Sequence, residues 1–117
     1  ARAASDFEVG LAGIQAPAHP ARVPLCDGLG RALHAQRRYG EAIAQFKAAL
    51  DPAAGATPEV LGGLYFRLAE SLAAAGRREE ALSAIQQYDV WAQHDPQQTM
   101  HGARLRRLAA SLGAPRG

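Results

Sequence analysis

The sequence predicts an all-α protein, a short α-solenoid of antiparallel helix pairs. Three observations carry that expectation. Apolar side chains recur at spacings of three and four residues through most of the chain, the signature of one buried face per helix. The composition is rich in Ala and poor in aromatics, which make up 6%; Ala has the highest helix propensity, whereas strands favour β-branched and aromatic residues. The pattern also repeats: two paired-helix segments align at an offset of 39 residues, within the period of roughly 20–50 residues that marks stacked repeats. The length of 117 residues suits one ordinary domain, and 48% apolar with 21% charged residues is a globular balance.

Residues 1–21 form the least regular stretch. Phe7, Val9, Leu11 and Ile14 are interrupted by Gly10 and Gly13, and Pro17 and Pro20 break any helix. One weak helical turn and an extended linker are expected there. From Val23 to Arg38, Leu25, Cys26, Leu29, Ala32 and Leu33 define one helical face. Tyr39-Gly40 makes a short turn, and Ala42, Ile43, Phe46, Ala49 and Leu50 define the next face. Asp51-Pro52 and Gly55 end that helix. So short a connection favours an antiparallel pair.

Thr57-Pro58-Glu59 reads as a helix start: a capping hydroxyl, a proline preorganised for the first position, and an acid at the positive end of the dipole. Val60, Leu61, Leu64, Tyr65, Leu68, Ala69 and Leu72 follow, up to Gly76. A fourth helix runs from about Arg78 through Ala81, Leu82, Ile85, Tyr88 and Trp91. Asp95-Pro96 stops it, with Asp95 expected to cap a fifth helix carrying Met100, Leu105, Leu108, Ala109 and Leu112. The expected organisation is helix pairs over 23–51 and 57–93, a capping helix over 96–112 and a tail at 114–117.

At the offset of 39, Leu29 falls on Leu68, Leu33 on Leu72, Glu41 on Glu80, Ala42 on Ala81 and Phe46 on Ile85. The fifth helix fits the third at an offset of 40, placing Tyr65 on Leu105, Leu68 on Leu108, Ala69 on Ala109 and Leu72 on Leu112. Gly30, Ala42, Ala69 and Ala81 are expected where helices cross, because small side chains allow close approach, with Phe46, Tyr65 and Leu72 filling the space between.

Leu29-Gly30, Leu33, Tyr39, Glu41-Ala42-Ile43, Phe46 and Ala49-Leu50 resemble the tetratricopeptide repeat. Leu68-Ala69, Leu72, Gly76, Glu80-Ala81-Leu82 and Ile85 look like a second copy. The first copy has Arg37 in place of the usual turn glycine; in the second, Arg78 stands for an aromatic and Tyr88 for a small residue. The resemblance covers roughly 23–112 and implies a right-handed solenoid, with the longer period absorbed by the loop Asp51–Ala56. It also implies a concave groove lined by the first helix of each pair. By position those residues are Asp27, Arg31 and His34, then Phe66, Arg67 and Glu70, then Arg106 and Arg107 of the cap. The Lys/Asn clamp of chaperone-binding members is missing. What remains is an Arg-rich groove with one exposed aromatic, which suits an acidic or C-terminal peptide through bidentate Arg–carboxylate bonds.

Other chemistry finds little purchase. One Cys excludes an internal disulfide framework and multi-Cys zinc sites; Cys26 reads as a small buried hydrophobe. His94 and His101 are separated by a helix break, so no metal site is expected and both read as solvent-exposed. No nucleophile–base or paired-carboxylate arrangement stands at a meaningful spacing, and Gly62-Gly63 and Gly10/Gly13 are not phosphate loops. No catalysis and no cofactor are expected. Trp91 reads as a packing residue near Tyr88. The formal charge is +2, and 12 of the 13 basic residues are Arg; that bias, with the Ala and Gly usage, fits a GC-rich bacterial genome. Arg104, Arg106 and Arg107 form the densest basic cluster but lack the interleaved aromatics of single-strand binders, which disfavours nucleic acid. Arg37-Arg38 and Arg77-Arg78 read as repeated turn chemistry. No apolar run approaches the roughly 20 residues of a membrane span. Neither does the N-terminal stretch read as a signal peptide. A cytoplasmic location is favoured over an exported one with its signal removed. The expected function is a non-catalytic module that binds a protein or peptide. The alternative is a subunit packed permanently into an assembly, and exposed solenoid ends leave room for self-association.

Overall fold

The computed structural model of the chain describes residues 22–51 and 55–113. The irregular N-terminal stretch, residues 52–54 of the loop expected to absorb the longer period, and the tail lie outside the described residues. The described elements are α1 (Arg22–Ala35), α2 (Tyr39–Leu50), α3 (Pro58–Ala74), α4 (Arg78–Trp91), a 3₁₀ turn (Ala92–His94) and α5 (Gln98–Ser111). No strand occurs among the described residues, and the fold class is all-α. The chain divides into two compact units, residues 1–56 and 57–117.

In the first unit α1 and α2 form a helical hairpin. Its core consists of Val23, Cys26, Leu29 and Leu33 from α1 and Ala42, Ile43, Phe46 and Ala49 from α2, all buried. Pro24 falls in the first turn of α1, where its missing N–H has no intrahelical partner to lose. Gly30 is the point of closest approach: a Cβ there would lie 2.5 Å from the Phe46 ring. The absent side chain is what lets the ring seat against α1.

In the second unit α3 and α4 form the corresponding hairpin, and α5 packs on both. Leu64, Phe66, Leu68, Ala69, Leu72, Ala81, Ala84, Tyr88 and Leu105 are buried. Ala42 and Ala81, paired by the offset of 39, are each 0% exposed. Pro58 opens α3 as expected, but the Thr57 hydroxyl makes no capping hydrogen bond. The Thr57 carbonyl accepts the N–H groups of Val60 and Leu61 instead, at 3.0 and 2.9 Å, closing the first turn through the backbone.

The two hairpin turns are built alike. Arg38 N–H donates to the Leu33 carbonyl and Arg37 N–H to His34; 39 residues on, Arg77 N–H donates to Leu72 and Gly76 N–H to Ala73, every bond between 2.9 and 3.0 Å. This is the Schellman closure, in which the residue after the cap adopts a left-handed conformation. Gly76 does so at φ 79° and Arg37 at φ 63°. Each turn then leads into an ion pair of its own, Arg38 with Glu41 and Arg77 with Glu80. Arg37, Arg38 and Arg77 thus serve the turns, whereas Arg78 reaches beyond its turn to Leu112 and Gly113.

Candidate functional site

A connected group of buried polar side chains lies in the second unit, around Asp95. The 3₁₀ turn after α4 carries the chain back so that Asp95 is buried, with 7% of its surface exposed. Its Oδ2 accepts the Tyr88 hydroxyl at 2.8 Å and lies 2.7 Å from His101 Nδ1, while Oδ1 accepts the Gln97 N–H at 3.0 Å. Tyr88 comes from α4 and His101 from α5, so one carboxylate ties two helices to the loop between them. Gly62 of α3 makes room: a Cβ there would lie 3.0 Å from the Asp95 Cβ and 3.4 Å from the Trp91 carbonyl.

Burial opposes ionisation of Asp95. The Gln97, Tyr88 and His101 hydrogen bonds and the imidazole's charge outweigh it and hold the carboxyl below the ordinary range. Burial pushes the Tyr88 hydroxyl well above its usual range, and the bond to Asp95 and the charges of Asp95 and Asp89 push it further. The ring of His101 stacks on Phe66 of α3, centroids 3.9 Å apart and planes 13° apart. Arg104 lies over the same Phe66 ring at 5.5 Å and pairs with Glu70 at 3.1 Å. An aspartate holding an imidazole in this way orients a base in many hydrolases, but here the ring is 5% exposed and pressed against a phenyl group. The cluster fastens α5 to the α3–α4 hairpin.

Three sequence expectations change here. Asp95 is not the N-cap of α5; that position is Gln97, and Asp95 forms an Asx-type turn onto its N–H. His101 is not solvent-exposed, because the helix break that separates it from His94 is what folds it back onto Asp95. Phe66 is not an exposed aromatic: it is 4% exposed and stacked under His101.

The remaining candidate groove residues fall in two sets. In the first unit Asp27 is buried on α1, and Arg31, one turn on, pairs with it at 2.8 Å. His34, half-buried, meets the Tyr39 ring edge-on at 5.1 Å. In the second unit Arg67 is half-buried beside Gly63, Glu70 is held by Arg104, and Arg106 and Arg107 are exposed on α5. Cys26 is buried with its thiol pushed up by burial, an effect the nearby Arg22 partly offsets. Trp91 is half-buried, its ring 6.4 Å from that of His94.

Sequence reasoning missed two contacts of consequence. One is the Asp95 cluster. The other is Arg78, whose Nε donates to the Leu112 carbonyl and whose Nη2 donates to Gly113 at 3.2 Å. Its guanidinium thus satisfies the carbonyls at the C-terminal end of α5, where a cation also suits the helix dipole. The spacings of seven and six residues from Asp95 to Tyr88 and His101 were visible, but only the 3₁₀ turn brings them to one point. Among the described residues no group of three or more His, Cys, Asp or Glu is placed to hold a metal ion, and no helix is long and apolar enough to cross a membrane. Comparison with protein-family models, curated proteins and solved structures returns no significant match for this chain.

Proposed function

We propose that the chain is a non-catalytic protein-binding module of the tetratricopeptide kind, its first helices presenting charged positions to a partner peptide or helix. The observation that carries this reading is the structural equivalence of the two hairpins. The same backbone bonds, a left-handed residue at the same turn position and the same Arg–Glu pair recur at one offset. Repetition of a supersecondary unit is how binding surfaces are built from short pieces. The polar residues support it too: buried Asp95 and His101 are spent on holding helices together, while charged side chains such as Arg31, Arg106 and Arg107 stand at the surface.

A displayed peptide library panned against the full chain tests the reading. The expected outcome is a recurring peptide class whose binding is weakened by Arg31→Glu or Arg67→Glu, with helicity retained. Absence of any enriched class, or binding indifferent to both changes, would overturn it.

A further inference from the structure

We propose that the outward face of α5 docks an acidic helix of a partner protein, one with an apolar seam. The proposal rests on the reading of the chain as a binding module and names one surface and one partner chemistry for it. His101 and Leu105 are buried and fix the inward side of α5. At 3.6 residues per turn, Ala103 and Ala110, seven apart, fall in line on the opposite side. Arg106 and Arg107 flank that line, one on each side. Met100 lies on the Arg107 flank, seven residues earlier, and is 50% exposed.

The charge on this face is uncompensated. α5 contains three arginines and no acidic residue. Arg104 is engaged by Glu70 and Phe66. Arg31, Arg38 and Arg77 each have a carboxylate three or four residues away on their own helix or turn. Arg106 and Arg107 have neither such a neighbour nor any ion-pair partner among the described residues. A merely solvated helix face mixes signs at these spacings, since pairs stabilise it and like charges do not.

The shape selects among acidic partners. Small alanines let a second helix backbone approach closely, and Met100 offers a soft apolar contact. Two guanidiniums on either side of that line suit carboxylates flanking an apolar seam, the arrangement of paired helices. A phosphate backbone would leave the Ala–Met line uncovered.

The experiment uses the full chain and a fluorescent synthetic peptide, helical in isolation, with a Leu seam flanked by Glu. Fluorescence anisotropy should show saturable binding that weakens as salt rises. The Arg106→Glu/Arg107→Glu variant should lose about tenfold or more in affinity, the Arg106→Gln/Arg107→Gln variant less, and Met100→Gln severalfold. Circular dichroism checks that each variant stays folded. Equal binding by the charge-reversed variant overturns the proposal. So does equal binding of a peptide with Lys in place of Glu, or binding of a duplex oligonucleotide and not of the peptide. Dimerisation abolished by Arg106→Glu/Arg107→Glu would also overturn it, assigning the face to a second copy of the chain. If library-selected peptides bind the chain while this probe does not, the α5 surface is wrong and the module reading stands; if neither binds, both fall.

Discussion

The two hairpins are copies that solve the same packing problem with different residues. Where α1 has Gly30 against the large ring of Phe46, the equivalent positions in the second hairpin hold Ala69 and Ile85. Ala69 is buried and Ile85 half-buried, so at these two equivalent positions a larger residue on the first helix goes with a smaller one on the second, and their summed volume changes little. The turns differ in the same spirit: the hydrogen bonds coincide, yet one left-handed position is Gly76 and the other Arg37. The repeat is thus a pattern of bonds and volumes more than of side chains. A residue outside the pattern marks a local job, as where Tyr39 packs on His34 and Arg78 reaches the end of α5.

Among the described residues, the largest difference between the hairpins is that the second carries a further helix fastened by a buried carboxylate. Asp95→Ala would strand the Tyr88 hydroxyl and the His101 imidazole. Removing one partner of a buried, hydrogen-bonded charged group costs about 3–5 kcal/mol. Urea unfolding should show that loss, and amide exchange should place it in α5 and α4. Helicity of the α1–α2 hairpin should be unchanged. The same group sets an acid limit. Asp95 has a folded pKa below its ordinary value of 3.8, so its contribution is fully present above that pH and drains away as pH falls through the folded value. Asp95→Asn should flatten this part of the stability–pH curve; a curve of unchanged slope would remove Asp95 from the account.

Next in size is the volume exchange. Gly30→Ala should destabilise by about 1–3 kcal/mol, because the added Cβ meets a buried ring that has nowhere to move. Adding Phe46→Ile, which installs the second hairpin's pair in the first, should recover part of the loss in thermal unfolding. A double variant no better than the single one would break the idea of exchanged volumes. Ala42→Leu and Ala81→Leu should each cost a similar amount, about 1–3 kcal/mol, since both sites are fully enclosed.

A smaller effect separates Arg78 from its counterpart Tyr39. Arg78→Ala removes two donors from the last carbonyls of α5 at an exposed site, worth about 1 kcal/mol. Faster amide exchange confined to the final turn of α5 would register it.

Much of this was legible from residue spacing. The five helices, the offset of 39 and the buried Ala42 and Ala81 follow from local periodicity, because a helix face is a sequence-local property. The Asp95 cluster and the Arg78 bridge were not, because each joins residues through a loop geometry that periodicity does not encode. His101 illustrates the reason. The break at Asp95-Pro96 argued against pairing it with His94, and correctly so; the same break set it against Asp95. Phe66 failed differently. Its place in the repeat implied exposure, but α5 supplies an imidazole that covers it.

The finest test of the comparison is the turn itself. Gly76 has open space where a Cβ would go, so Gly76→Ala adds no clash and isolates the backbone. The cost should be about 1 kcal/mol, the penalty an L-residue meets in the left-handed region. Arg37→Gly runs the other way. It relieves that strain in the first hairpin but adds freedom to the unfolded chain, so the net gain should be smaller, about 0.5 kcal/mol. Both are read as shifts of the urea midpoint at constant slope. The signs matter more than the sizes. If Arg37→Gly destabilises, the Arg37 side chain contributes more than its backbone costs, and the first turn is held by something the second lacks. If Gly76→Ala is neutral, the left-handed residue is not what the two turns share, and the six-to-one bonds from Arg38 and Arg77 alone define the repeat.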